Sequence, residues 1–219
     1  MDISATAELP GAGERDHTRI NRLLADKTPG AIVDWTILNA RRPIISTNFR
    51  PLSIALVHLV TRVKADIPVV WVDSGYNTEA TYRFVDRVTR QFKLNLHIYT
   101  PRGTAARRAQ LEGRAPEVDT PEHARFTHEV KLEPFERALD DWRPDFWITG
   151  IRRDQSDYRR SLEVVSDGPR GVTRIAPIYR WTEVDVEGYI DANGLPDYDD
   201  YHDPTKGKEN RECGLQTLA

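Results

Sequence analysis

The chain has 219 residues, of which 39% are hydrophobic and 30% are charged, and its formal net charge is -3. This composition is typical of a globular protein with one core, and it argues against a disordered or membrane-embedded chain. The slightly acidic balance disfavours a general nucleic-acid binder, which is usually basic. The single cysteine excludes an intrachain disulfide and a cluster held by several cysteines. We therefore expect no bound metal.

The first 30 residues are polar and contain no apolar run typical of a secretory signal, so we treat 1–30 as an N-terminal segment. Within it, Ile20, Leu23 and Leu24 are spaced to dock on a core as part of a short helix. The longest apolar stretch, 53–60, is too short to span a bilayer. We expect a cytoplasmic, reducing location and no contact with a membrane.

Short apolar runs rich in β-branched and aromatic residues alternate with helical patterns along the chain. The predicted strands cover residues 43–46, 68–72, 94–99, 145–149 and 172–178. The predicted helices cover residues 53–64, 78–92, 130–142 and 182–193. This alternation indicates an α/β domain over 31–196, with a parallel sheet covered by helices on both faces. The stretch 101–128 shows no clear pattern, and the polar tail 197–219 is predicted to be mobile.

Polar side chains follow several of the predicted strands, and open parallel sheets bind ligands beyond the carboxyl ends of their strands. The first loop is rich in hydroxyl and amide groups and precedes Pro51, which is suited to open a helix with free N–H groups. The candidate binding residues in these loops are Ser46, Thr47, Asn48, Arg50, Asp73, Ser74, Gly75, Arg152, Arg153 and Gln155. Together they favour a polyanionic ligand such as a nucleotide.

Two simpler interpretations of these loops stay open. The arginine run at 152–160 is also compatible with a solvated face, and Asp73 is equally suited to cap a turn. The chain contains no Walker P-loop, no Gly-x-Gly-x-x-Gly fingerprint and no Gly-x-Ser-x-Gly elbow. These absences disfavour a P-loop ATPase, a dinucleotide-binding Rossmann enzyme and a serine hydrolase.

Cys213 lies in the polar sequence Asn-Arg-Glu-Cys-Gly-Leu-Gln near the end of the chain. A lone cysteine is usually a buried, small hydrophobic residue. Here the neighbours are polar and Arg211 stands two positions earlier, a setting that stabilises a thiolate and leaves it reachable. The local chemistry alone leaves a reactive and an inert thiol equally open.

Several of these segments resemble the sulfonucleotide reductases, and most closely their phosphoadenylyl-sulfate (PAPS) reductase branch. Glu-Cys-Gly-Leu at 212–215 is similar to the tail signature of that family. Lys-Leu-Glu-Pro at 131–134 resembles its Lys-Val-Glu-Pro motif, and 150–156 resembles its Gly-x-Arg-Arg-x-Gln-Ser motif. Asp-Ser-Gly-Tyr at 73–76 is similar to the region after the family's second strand. The resemblance covers most of the chain, in the right order.

The resemblance implies an adenine-nucleotide α-hydrolase-like fold, with a twisted, mostly parallel five-stranded sheet and a mobile tail that carries the cysteine. It implies reduction of PAPS to sulfite and adenosine 3′,5′-bisphosphate in sulfate assimilation, through an S-sulfonate on Cys213. Lys131, Arg152 and Arg153 would neutralise the leaving phosphate, and Arg211 would stabilise the thiolate. Thioredoxin or glutaredoxin would be the external reductant, and a homodimer is the common assembly.

The chain departs from the family pattern at several positions. Arg50 stands where the family has glycine, which suggests a side-chain grip on the anion in place of a backbone cradle. Gln216 stands where the family has histidine, and the stretch 196–211 is shorter. Phe126 and Thr127 replace the cysteine pair of the adenylyl-sulfate (APS) branch, so no iron–sulfur cluster is expected. A cluster-free APS reductase and a non-catalytic adenine-nucleotide-binding protein remain as alternatives.

Overall fold

The computed structural model describes residues 16–206. Within that range the strands are β1 (Pro43–Ser46), β2 (Val69–Val72), β3 (Leu96–Tyr99), β4 (Phe146–Ile148), β5 (Val165–Asp167) and β6 (Thr173–Ile175). The α-helices are α1 (His17–Leu23), α2 (Pro29–Asn39), α3 (Ile54–Thr61), α4 (Glu79–Phe92), α5 (Ala105–Leu111), α6 (Pro121–Thr127), α7 (Glu133–Trp142), α8 (Asp157–Arg160) and α9 (Glu183–Asn193). A π-helical turn, His128–Leu132, leads into α7, and a 3-10 turn, Pro169–Gly171, joins β5 to β6.

The strands form one sheet in the order β3-β2-β1-β4-β6-β5. The five that pair in parallel lie where the sequence predicts strands. The sixth, β5, pairs antiparallel with β6 at the edge of the sheet and corrects the predicted count of five. Its three residues, Val-Ser-Asp, contain no apolar run, so the sequence pattern gives no signal for a strand that depends on pairing with β6.

Helices cover both faces of the sheet, as predicted for a parallel sheet. Ile45 and Trp71 pack with α3, α4 and α9 on one face, whereas Ile44 and Trp147 pack with α7 on the other. The sequence forms α4 because Thr78 caps its first turn and its buried residues recur at helical spacing. Among residues 16–206, no helix is both long enough and apolar enough to cross a membrane.

Helix α1 attaches part of the predicted N-terminal segment to the sheet. The amide of Asn21 donates to the carbonyl of Val165 at 2.8 Å and accepts the N–H of Val165 at 2.8 Å. Leu24 is buried, as expected, while Leu23 is 54% exposed. The described part of that segment, 16–30, therefore packs as part of the α/β unit.

Residues 197–206, which we call the strap, lie across the loop that follows β1. The hydroxyl of Tyr198 donates to the carbonyl of Phe49 at 2.6 Å. The side-chain amide of Asn48 donates to the hydroxyl of Tyr201 at 3.1 Å. The strap is thus fastened to the same loop in which the sequence predicts ligand binding.

The packing of the strap differs from the predicted mobile tail, 197–219. The polar sequence predicts mobility, but the tyrosines of the strap and Thr205 form hydrogen bonds to the domain, and Thr205 is only 1% exposed. The rest of that tail, including Cys213, lies outside the described residues.

Candidate functional site

A cavity of about 140 Å³ opens at the carboxyl ends of β1 and β4, where the sequence predicts ligand binding. Ser46, the last residue of β1, forms one side, and Gly150, which follows β4, forms another. The polar and charged residues that line the cavity are Ser46, Thr47, Asn48, Arg50, Ser53, Lys131, Arg152, Gln155, Arg159 and Lys206. Most of the predicted binding residues therefore meet in one place.

The loop after β1 has a backbone shape that its own side chains fix. The Thr47 hydroxyl accepts the N–H of Phe49 at 3.1 Å, and the Asn48 side-chain carbonyl accepts the N–H of Arg50 at 3.3 Å. Phe49 has a φ of 50°, and its fully buried ring packs edge-on against Trp71. This packing holds a backbone conformation that is uncommon outside glycine. Thr47 and Asn48 thus shape the loop as well as line the cavity.

Helix α3 begins at Ile54, later than Pro51 suggests, and Ser53 precedes it. The Ser53 side chain makes no capping bond, and its oxygen is buried without a hydrogen-bond partner among residues 16–206. Leaving such a group unsatisfied is costly, so its presence beside a cavity indicates a use by a ligand or water. Ser53 is not among the residues predicted from the sequence, although a serine before an apolar helical pattern marks the start of a helix.

Arg50 brings a positive charge into the cavity. Among residues 16–206, no carboxylate forms an ion pair with its guanidinium. Burial lowers the pKa of Arg50; Tyr201 and Glu183 oppose this effect, while the charges of Arg152 and Arg159 add to it. Arginine stays protonated in proteins, so the lowered pKa reports an unfavourable charge that an anion would relieve.

Gln155 ties two arginines of the loop after β4 together. Its side-chain carbonyl accepts the N–H of Arg152 at 3.1 Å and a hydrogen bond from the guanidinium of Arg159. The Arg152 guanidinium is buried and meets Asp154 at 3.1 Å and Glu183 at 3.3 Å. The charge of Arg152 is therefore partly balanced by two carboxylates, and Gln155 fixes the loop that carries both arginines.

Lys131 lies in the π-helical turn and points its ammonium group at the strap. Its Nζ donates to the Asp203 carboxylate at 2.5 Å and to the Thr205 hydroxyl at 3.2 Å. Burial acts to raise the pKa of Asp203, but the charge and hydrogen bond of Lys131, with hydrogen bonds from Thr205, lower it overall. The family resemblance implies that Lys131 neutralises a phosphate, whereas the structure pairs it with a carboxylate of its own chain.

The loop after β2 lies beside the main cavity and does not line it. The Asp73 carboxylate accepts hydrogen bonds from the N–H of Gly75 at 2.9 Å, the Asn77 amide at 2.7 Å and the Tyr82 hydroxyl at 3.0 Å. Asp73 therefore organises a turn, the simpler of its two interpretations, and Gly75 has the φ of 81° that this turn needs. Ser74 lines a smaller cavity of about 20 Å³ formed with the strap.

The structure separates the arginines that the sequence groups together. Arg153 is exposed and does not line the main cavity; its N–H donates to the carbonyl of Tyr179 at 3.0 Å. Arg159 is buried and lines the cavity, because Ser156 caps a short helix that turns it inwards, while Arg160 is exposed. The capping serine is the sequence signal that could have distinguished the buried Arg159 from the exposed Arg160.

The predicted roles of Cys213 and Arg211 stay predictions, since both residues lie outside the described range. In the part of the chain that the structure describes, no three histidine, cysteine or carboxylate side chains are grouped to hold a metal ion.

Known proteins share both the sequence and the fold of this region. The model of the phosphoadenosine phosphosulfate reductase domain matches residues 42–202, which include every residue that lines the cavity except Lys206. A phosphoadenosine 5'-phosphosulfate reductase from Synechococcus sp. is 38% identical over 181 residues, 82% of this chain and 78% of that protein. One from Vibrio cholerae is 35% identical over 180 residues, 82% of this chain and 71% of that protein.

The crystal structure of phosphoadenylyl-sulfate (PAPS) reductase from Candida auris, a phosphate complex, has a similar fold. Its TM-score is 0.74 at 21% identity, and the match covers 87% of this chain and 91% of that one. The adenine-nucleotide α-hydrolase-like fold expected from the sequence is thereby confirmed. The chain belongs to the phosphoadenosine phosphosulfate reductase family.

Proposed function

We propose that this chain reduces 3′-phosphoadenylyl sulfate (PAPS) to sulfite and adenosine 3′,5′-bisphosphate, the reductive step of sulfate assimilation. The observation that carries the proposal is the half-buried guanidinium of Arg50, which forms no ion pair among residues 16–206, in a cavity that Arg159 also lines. A nucleotide with phosphate and sulfonate groups supplies the anionic oxygens that this cavity needs. Family membership supports the choice of nucleotide.

Cys213 is the proposed nucleophile. Its thiolate sulfur forms a bond to the sulfonate sulfur, while the bond from that sulfur to the phosphate oxygen breaks. The electron pair of the broken bond leaves on adenosine 3′,5′-bisphosphate, and the enzyme retains a Cys S-sulfonate. Arg50 and Arg159 stabilise the charge that develops on the departing phosphate. Arg211, two residues before the cysteine, stabilises the thiolate.

The position of the strap supports this role for Cys213. Lys206, at the end of the strap, lines the cavity and precedes Cys213 by seven residues. Seven extended residues span at most about 25 Å. The thiol is therefore tethered within reach of the cavity in its own chain.

The second half of the reaction needs an external dithiol, because the sequence contains one cysteine. A thiolate of thioredoxin or glutaredoxin attacks the sulfur of Cys213 and displaces sulfite, and its second thiol then resolves the mixed disulfide. The dithiol is oxidised and the sulfonate leaves as sulfite. This scheme needs no bound cofactor and no iron–sulfur cluster, and it suits a reducing cytoplasm. We also expect a homodimer, which light scattering would detect.

Intact-protein mass spectrometry after mixing with PAPS, and separately with APS, tests the reaction in the absence of reductant. We expect the mass of one SO₃ group to be added to Cys213 with PAPS. An addition with APS alone would identify a cluster-free APS reductase instead. No addition with either, despite binding of adenosine 3′,5′-bisphosphate, would identify a nucleotide-binding protein without reductase activity.

The matched variant for this experiment is Cys213→Ser. It should bind adenosine 3′,5′-bisphosphate as the unmodified chain does, gain no mass and release no sulfite. Turnover that survives in this variant would remove Cys213 from the reaction.

A further inference from the structure

A buried tryptophan stands behind the substrate cavity. Trp147 lies in the middle of β4, is 0% exposed and pairs with Ile44 of the adjacent β1. Ser46 follows Ile44 by two residues, so both side chains lie on the same face of the sheet. The indole N–H of Trp147 donates to the hydroxyl oxygen of Ser46 at 2.7 Å. This bond joins the core to a residue that lines the cavity.

Chemistry fixes the direction of this hydrogen bond. An indole N–H donates and has no acceptor, so the Ser46 oxygen must accept. The serine hydroxyl has one hydrogen. Because the oxygen accepts a hydrogen bond from the indole, this hydrogen points away from the indole N–H. The charged groups that line the cavity, such as Arg50 and Arg159, are donors as well. An anionic ligand is therefore the acceptor that suits the Ser46 hydrogen.

The indole ring is held firmly enough to impose this direction. Phe135 packs against it with a centroid distance of 4.8 Å, and the guanidinium of Arg174 lies 6.0 Å from the ring centre. Arg174 is itself anchored, because its Nε donates to the Ser166 hydroxyl at 3.0 Å. A ring without solvent exposure in a close-packed core keeps its rotamer, and its N–H is a fixed donor.

We propose that Trp147 is a positioning residue for substrate binding, which orients the hydroxyl of Ser46 so that its hydrogen is donated to a phosphate or sulfonate oxygen. The proposal rests on the proposed function for the nature of this anion. The contact is made to the bound substrate and kept in the transition state. It therefore contributes to affinity and leaves kcat unchanged.

The test compares Trp147→Phe with Ser46→Ala and with the double variant. The probes are the Kd of adenosine 3′,5′-bisphosphate by calorimetry and the KM and kcat for PAPS. Each single substitution should raise Kd and KM by about 3- to 10-fold, the usual range for one hydrogen bond, with kcat within about twofold. In the Ser46→Ala background, Trp147→Phe should add less than about twofold, because the two residues act through one contact.

A matched control removes an indole N–H elsewhere on the sheet. Trp35 packs edge-on against Phe146, the strand neighbour of Trp147, with a centroid distance of 6.0 Å. Successive strand residues face opposite sides, so Trp35 lies on the other side of the sheet from Trp147. Trp35→Phe should leave the Kd of the bisphosphate unchanged.

Trp147→Phe also reduces the volume of a buried ring, so a second variant separates orientation from packing. Trp147→benzothienylalanine replaces the N–H by sulfur at nearly the same shape, and it should raise Kd as Trp147→Phe does while the melting temperature stays constant. An unchanged Kd with this isostere, or an equal effect of Trp147→Phe with and without Ser46, would overturn the proposal. If the unmodified chain does not bind the bisphosphate, the proposed function itself fails.

Discussion

Lys131 and Arg50 both line the cavity, but only Lys131 has an ion-pair partner among residues 16–206. Lys131 meets Asp203 of the strap at 2.5 Å, and both side chains are almost fully buried. Arg50 is half-buried, and the charges that act on it include two further cations, Arg152 and Arg159, as well as the carboxylate of Glu183. A buried charge is tolerated only when it is paired or hydrogen-bonded. Lys131 and Asp203 form a complete pair within the chain. For Arg50 we propose that an anionic ligand supplies the negative partner.

This difference distinguishes a structural cation from a candidate ligand-binding cation, two roles that a sequence motif does not tell apart. A lysine and an arginine beside a nucleotide cavity both look like phosphate ligands. In the structure Lys131 is paired with Asp203 of the strap, whereas Arg50 lines the cavity without an ion pair among residues 16–206. Substitutions at the two positions should therefore affect different quantities, the free energy of unfolding for Lys131 and the nucleotide affinity for Arg50.

The largest expected effect follows from Lys131→Met. This variant leaves the Asp203 carboxylate buried without its cation, so the free energy of unfolding should fall by about 3–5 kcal/mol in urea titrations. Adding Asp203→Leu removes the unpaired charge and should restore most of that loss. The Kd of adenosine 3′,5′-bisphosphate for the folded protein should change less than about threefold. A larger loss of affinity than of stability would make Lys131 a ligand and break the comparison.

Arg50→Ala should weaken nucleotide binding without lowering the free energy of unfolding, the reverse of what is expected for Lys131→Met. Hydrogen bonds to charged groups contribute about 1.5–3 kcal/mol, so the Kd of the bisphosphate should rise by about 10- to 100-fold in calorimetry. The free energy of unfolding should stay equal or increase, because a half-buried charge with no ion pair among residues 16–206 is removed. Arg90→Ala, which removes the same charge from a side chain that is 79% exposed on α4, is the matched control. Equal effects of the two variants would reduce the role of Arg50 to long-range charge.

Acid titration sharpens the comparison at Asp203. The pKa of this carboxyl is lowered in the folded protein, so its stabilising contribution is fully present above the unfolded value of about 3.9. The contribution is lost as the pH falls through the lower, folded value. Urea titrations from pH 5 downwards should therefore show a steeper loss of stability for the unmodified chain than for Asp203→Asn. Parallel curves would contradict the assignment.

The sequence predicts the part of this site that depends on strand order. Ser46 ends a buried strand, and Arg50 and Arg152 follow buried strands. The carboxyl ends of parallel strands meet at one edge of the sheet, so the proximity of these residues follows from topology alone. The family resemblance then adds Lys131 by its motif. These residues meet at the cavity as expected.

The rest depends on long-range contacts that periodicity does not encode. Lys131 and Asp203 are 72 residues apart, and their pairing depends on the path of a strap whose polar sequence suggests mobility. Asp73 stands after a strand like the binding residues, but its partners are four and nine residues further along, so local turn chemistry decides its role. Trp147 reads as a core residue, and its bond to Ser46 becomes visible only when β1 and β4 are paired.

The smallest expected effect concerns Arg152, which lies between the two extremes because its charge is partly balanced. Glu183 meets the Arg152 guanidinium at 3.3 Å from the first turn of α9, and its side chain is 60% exposed. Exposed ion pairs contribute only about 0.2–1 kcal/mol, so Glu183→Gln should tighten the Kd of the bisphosphate by about two- to threefold at low salt. The gain should fade at high ionic strength, and Glu187→Gln, one turn later on the same helix, should not produce it. A weaker affinity in Glu183→Gln would show that this carboxylate holds Arg152 in place for the substrate. The pair of Arg152 and Glu183 would then be a structural ion pair, like that of Lys131 and Asp203.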